Sequence, residues 1–238
     1  MKKVFSTIMA VAMATSFFFS SCSDVDAASE VSSNQTEHYK GSYGKYAQIG
    51  TEVYSALENT FGDSESARAV LDGNVKISAD STVDATSLED LLSKNYVSKT
   101  AGDYIKKIDD AIDNNDDLDS ILSAISSIEE EALANLSEAD KDSVLTYAES
   151  AKATLVYFSN AEDDSVARFS FSSFKKKVKK VATAAAKGAA VGAVTGVIKG
   201  AIGGAAGGPA GILAGAGSGA AAGAVAGAST AIAEEILG

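Results

Sequence analysis

The 238-residue chain carries 32 acidic against 20 basic side chains, with 21 Gly, one His, one Cys, one Pro and no Trp. Neither a Ser/His/Asp arrangement nor a metal-spaced His/Cys cluster can be drawn from it, so no enzyme activity, catalytic residue, metal or cofactor is expected. Charge is unevenly spread: residues 1–22 hold two Lys and no acid, 23–168 hold 11 Lys/Arg against 30 Asp/Glu, and 169–238 hold seven Lys against two Glu. An acidic half followed by a cationic, apolar half predicts two units with different solvents. No aromatic follows Phe174, so the base-stacking platforms of single-strand binders are missing. The expected partner is a membrane, not nucleic acid.

Met1-Lys2-Lys3 and the apolar "VFSTIMAVAMATSFFFSS" form a charged segment and a hydrophobic segment of signal-peptide length, too short for a spanning anchor. This predicts removal of residues 1–21 and export. Cys22, in "FSSCSDVD", sits where cleavage is expected. It reads as a lipidation site, against the alternatives of a lone buried thiol or ordinary cleavage near Ala27-Ala28. The stretch resembles the Ser-rich lipoboxes of Bacteroidota lipoproteins, although Phe19 and Ser21 stand where the usual lipobox has Leu and a small Gly or Ala. Asp24 and Asp26 are similar to the surface-export signal of that group. The resemblance implies a chain lipid-anchored at the outer membrane or cell surface.

Residues 22–42, small and polar, predict a flexible tether that includes a surface-exposed His38. From Tyr43 the spacing turns helical, with short helices expected over Tyr43–Thr60, Ser87–Ser98 and Asp103–Asn114. In "DDLDSILSAISSIEEEALANL" the residues Leu118, Ile121, Leu122, Ile125, Ile128, Ala132 and Leu136 line one helix face. Ser137 and Asp140 form a capping-box start for the next helix, which continues through Val144, Ala148, Ala151, Leu155 and Phe158. Only "NVKIS" at 74–78 alternates like a strand. Residues 43–160 thus predict one acidic all-helical domain. Its segment Asp113–Ala124 places acids and amides like a calcium loop, but Leu118 replaces the required Gly and Ala124 the closing Glu, so a solvated turn is the other reading.

Residues 161–174 read as a linker containing Arg168. The chain has two arginines, Arg68 in "SARAV" and Arg168 in "VARFS", each placed by the predicted elements at a boundary. They are either incidental surface residues or cleavage sites for an arginine-specific activating protease. A cut after Arg168 separates the halves where charge changes sign, leaving the acidic part as a prodomain. A further cut after Arg68 yields a second product.

Residues 175–238 predict a cationic Gly/Ala-rich helical hairpin, a glycine zipper. Gly188, Gly192, Gly196, Gly200, Gly204 and Gly208 form one four-residue ladder; Gly203, Gly207, Gly211, Gly215, Gly219, Gly223 and Gly227 form a second. Glycine costs a helix close to 1 kcal/mol relative to alanine, and close helix packing is the compensation expected. The doublets Gly203-Gly204 and Gly207-Gly208, followed by Pro209, place the bend. Thirty-four residues, Gly200–Ala233, carry no charge, where a span needs about 20. Upstream, Phe169, Phe171 and Phe174 beside Lys175, Lys176, Lys177, Lys179 and Lys180 predict docking on anionic lipid.

The glycine ladders resemble the glycine-zipper peptides of two-component bacteriocins, and "FKKKVKK" with its Ala/Gly tail resembles cecropin-like antimicrobial peptides. The resemblance covers about 70 of 238 residues. It implies a proteolytically activated toxin that permeabilises the membranes of competing bacteria, with self-association or association of its cleavage products. The alternative is a non-toxic structural or assembly lipoprotein anchored by its zipper. The overall expectation is all-α.

Overall fold

Short polar side chains punctuate the middle of the chain, and they set where its helices begin. The computed structural model of the chain describes residue 39, residue 41 and residues 43–71, 85–160 and 176–237. Among them stand eight α-helices and no strand: α1 Gly44–Phe61, α2 Ser64–Leu71, α3 Leu88–Ser93, α4 Lys99–Asn114, α5 Leu118–Asn135, α6 Glu138–Asn160, α7 Lys176–Gly204 and α8 Gly208–Leu237. The fold is all-α. Ser87, Ser98 and Asp117 accept the amides of Asp90, Ala101 and Ser120 at 3.2, 3.0 and 2.8 Å, satisfying N–H groups that open α3, α4 and α5. Ser137 Oγ accepts from Asp140 N at 3.3 Å and donates to its carboxylate at 2.8 Å, opening α6. Gly62, at φ +85, ends α1, and its N–H donates to Glu58 O at 2.9 Å.

Three sequence expectations need correction. The helix expected over 87–98 stops at Ser93, because Ser98 caps a new helix that begins at Lys99, four residues before the expected Asp103. Helix α2 is additional, and Arg68 lies inside it in place of a boundary position, flanked by the buried Ala67 and Val70. The tether does not run to residue 42: Tyr39 is buried, its ring stacked on Tyr54 at 6.3 Å. The "NVKIS" segment and His38 lie outside the described residues.

Residues 144–155 of α6 are buried on all sides, which makes α6 the central helix. Two apolar clusters flank it. One joins α1 and α2 (Val53, Leu57, Phe61, Val70) to α8 (Ala220, Ala224, Ile232); the other joins α4 (Ile105, Ile108, Ile112) to α5 (Ile121, Ile125). Helix α7 contributes to both, through Val181, Ala185 and Ala189 on one side and Ala186, Ala190 and Val194 on the other. Thus 43–160 and 175–238, expected as separate domains, pack together within the unit Thr36–Gly238. The boundary between them marks a change in composition and charge, while the alanine faces of α7 are apolar enough to complete both clusters.

Candidate membrane-active hairpin

The α7–α8 pair is built on glycines facing glycines. A Cβ added at Gly188, Gly192, Gly196 or Gly200 would lie closer than 3.0 Å to the carbonyl oxygens of Gly227, Gly223, Gly219 and Gly215 respectively. The reciprocal clash holds from the α8 side, and Gly211 faces Gly204 O. Each step of four down α7 is matched by a step of four up α8, so the helices run antiparallel with backbones nearly touching. Side chains larger than hydrogen cannot enter this seam. A Cβ added at Gly203 or Gly207 would meet no other part of the chain within 4 Å, so the second ladder engages only from Gly211 onward. Gly208 belongs to neither: it adopts φ +69 after a 3-10 turn at Ala205–Gly207, donates its N–H to Ala205 O, and opens α8. Gly217, outside both ladders in the sequence pattern, is buried against the Glu52 carboxylate of α1.

Two lysines predicted to dock on lipid are engaged with the protein. Lys179 Nζ pairs with Asp116 at 2.6 Å and donates to Asn115 O at 3.1 Å. Lys180 pairs with Glu235 at 2.6 Å, inside the hairpin. Further along α7, Lys187 pairs with Asp113 at 2.7 Å. The calcium-like segment therefore divides its acids: Asp113 and Asp116 face α7, while Asp117 caps α5, a bond to Ser120 that lowers its pKa. Among the described residues no group of three or more His, Cys, Asp or Glu is placed to hold a metal. Lys176 and Lys177 open α7. Cys22, Arg168, Phe169, Phe171, Phe174 and Lys175 lie outside the described residues.

Lys179–Gly204, 26 residues with mean hydropathy 1.5, is long and apolar enough to cross a membrane, and 67% of its apolar window is buried in this fold. Its cover is α8 and α6, with α4 touching it more lightly, while α8 leans on α1. Two cavities undercut the hairpin near its turn. One of about 450 Å³ lies between Ile49, Glu52 and Asp142 and the hairpin residues Val197, Ala201 and Ala214. The other, about 280 Å³, lies between Tyr96 and Ser143 and the residues Val197, Ile198 and Ala201.

One polar group under this cover has no counterpart in the sequence reading. Lys152 Nζ donates to Glu129 at 2.7 Å and to Glu149 at 2.8 Å, and the Tyr39 hydroxyl donates to Glu149 at 2.5 Å. Glu129 is 0% exposed and its Oε1 has no partner among the described residues. Burial, opposed by the Lys152 charge and reinforced by Glu149, pushes the Glu129 carboxyl up to about 7, and burial also raises the Tyr39 phenol. Asp109, which accepts from the buried Tyr147 hydroxyl at 2.6 Å, is likewise raised by burial. A polar and acidic tract such as "ISSIEEE" gives no hint that Glu129 points inward, apart from its place four residues after the buried Ile125 and three before the buried Ala132.

Comparison with protein-family models, with curated proteins and with solved structures finds no match to this chain.

Proposed function

We propose that the chain is an exported surface lipoprotein carrying a latent membrane-permeabilising hairpin, with the acidic helices as its sheath. The carrying observation is the placement of α7: long enough to span a bilayer, yet largely buried between α8 and the acidic helices. An apolar hairpin wrapped by polar helices travels through water without exposing its membrane surface. The seam between α7 and α8 is satisfied within the hairpin, so the pair can leave as one unit. Lys179–Asp116 and Lys187–Asp113 hold it with exposed acids, and such pairs contribute about 1 kcal/mol or less each. Anionic lipid competes for the same lysines. Cleavage after Arg168 removes the covalent link between α6 and α7, and the freed hairpin self-associates in the target membrane.

A second reading, a structural lipoprotein, draws on another observation: α7 supplies side chains to both apolar clusters, so the hairpin is also part of the core. Dye release from phosphatidylglycerol-containing liposomes separates the two. The mature chain is compared before and after cleavage by an arginine-specific protease, with Arg168→Ala, which keeps Arg68 but not the site between α6 and α7, as the control. Leakage that appears only with the cut wild-type chain supports the latent toxin. A cut chain that elutes as one complex and leaves vesicles sealed assigns the hairpin to structure.

A further inference from the structure

We infer that the turn end of the hairpin, residues 202–213, is a bilayer-contacting tip that reaches lipid while the acidic helices still hold its base, an inference that rests on the membrane reading above. Ile202 is the large apolar side chain left exposed among the described residues, at 72%. Gly203, Ala205, Gly207 and Ala214 around it are exposed too. Ala201 and Ala214, at the base of this end, line the cavities that lie between the hairpin and residues of α1 and α6.

Chemistry favours a bilayer as the occupant. The sequence of the tip, "IGGAAGGPAGIL", is uncharged, and its helical backbone is largely hydrogen-bonded within itself, with the Gly208 N–H bonded to Ala205 O at the turn. From Gly208 the α8 arm runs six residues to position 213, about 9 Å at 1.5 Å per residue, which matches the 5–10 Å over which interfacial helices enter the headgroup–acyl boundary. Glu52 and Asp142 line the cavity behind it and set a polar limit to deeper entry. A second protein copy fits less well. Stable interfaces bury about 800 Å² per partner around aromatic and arginine anchors, whereas residues 175–238 contain no Trp, Tyr, Phe or Arg. A bilayer requires no complementary shape.

The absence of Trp from the chain supplies the test. Ile202→Trp, with Ala222→Trp as an exposed control on the same hairpin, is placed in the uncut mature chain carrying Cys22→Ser, which takes no lipid. The probe is a vesicle of phosphatidylglycerol and phosphatidylethanolamine with brominated acyl chains. Expected for Ile202→Trp is a shift of indole emission to shorter wavelength with quenching by bromines near the headgroups, while the emission of Ala222→Trp stays that of an indole in water. Ile202→Asp, an exposed substitution that the fold tolerates, then weakens vesicle binding by about tenfold, the loss of one buried aliphatic side chain. An Ile202→Trp emission that stays unshifted with vesicles present overturns the tip, as does a shift that follows protein concentration without vesicles, which assigns the face to a second copy. Tip entry by the uncut chain and leakage after the cut are separate readouts. Entry without leakage removes the toxin and keeps the tip; leakage without entry does the reverse.

Discussion

The α4–α5–α6 side and the α7–α8 hairpin are both close helix packings, and they are held by opposite means. In the first, Ile105, Ile108, Ile112, Ile121 and Ile125 are fully buried, so the helices are spaced by the aliphatic volume between them. Each such side chain contributes roughly 1.5–3 kcal/mol by leaving water. In the second, Gly188, Gly192, Gly196 and Gly200 meet the carbonyls of α8 directly, and stabilisation comes from many weak contacts at close range. The first packing needs water to drive it. The second works as well in lipid, where the hydrophobic effect between helices vanishes.

Substitutions that swap the two means should hurt both regions, by a clash in one and by a void in the other. Gly196→Leu places a side chain where Gly219 O already lies closer than 3.0 Å to the position of a Cβ, and neither backbone can move without its whole helix. The expected cost is about 4 kcal/mol or more, read by denaturant unfolding, with loss of vesicle activity. Ile108→Ala leaves a void in place of a clash, and its expected cost is about 3 kcal/mol. If Gly196→Leu proved as mild as a surface change, the backbone seam would not hold the hairpin together.

This contrast also marks how far the sequence could be read. The apolar face Leu118, Ile121, Ile125 and Ala132 gave α5, and serine and aspartate caps gave helix starts, because both signals are local. The four-residue glycine period selected the helix face that forms the seam from Gly188 to Gly204. It could not report that Gly203 and Gly207 face open space, since that depends on where the turn falls. Lys179 reads as a lipid ligand, and nothing local marks Lys187 as paired, for the same reason. The chain 60–75 residues upstream that brings Asp116 and Asp113 to them is invisible to local pattern. The α7 face that enters two clusters is mostly alanine, which carries too small a hydrophobic signal to distinguish a membrane helix from a buried one.

A pH titration distinguishes the sheath from the hairpin. Glu129 lies in the sheath, with its carboxyl raised from the usual 4.5 to about 7, chiefly by burial. Below pH 4.5 folded and unfolded chains both hold this proton. Between 4.5 and about 7 the folded chain holds more, so this group's contribution to stability is lost as pH rises through that window. Lys152, Glu149 and Tyr39 surround the group, and Glu129→Gln keeps its shape while removing its titration. The expected result is a thermal midpoint that falls less steeply across pH 4.5–7 in Glu129→Gln than in wild type. Parallel curves would assign the pH dependence to another group, such as Asp109 of α4, whose carboxyl is also raised by burial.

The smallest effect expected is a gain. Gly203 is helical, exposed and has nothing within 4 Å of where a Cβ would stand, whereas Gly200, three residues earlier, faces Gly215 O. Alanine at 203 meets no obstacle and limits the freedom of the unfolded chain, so Gly203→Ala should stabilise by about 0.5–1 kcal/mol. Gly200→Ala, the same chemical change, should destabilise by more than that, because its methyl group requires the helices to separate. The sign difference tests whether packing or helix propensity governs the glycines: propensity alone predicts that both gain. A loss at Gly203 would instead mean that its bare backbone serves a contact made by the tip in another state, and vesicle binding by the same variant would then show whether that contact is lipid.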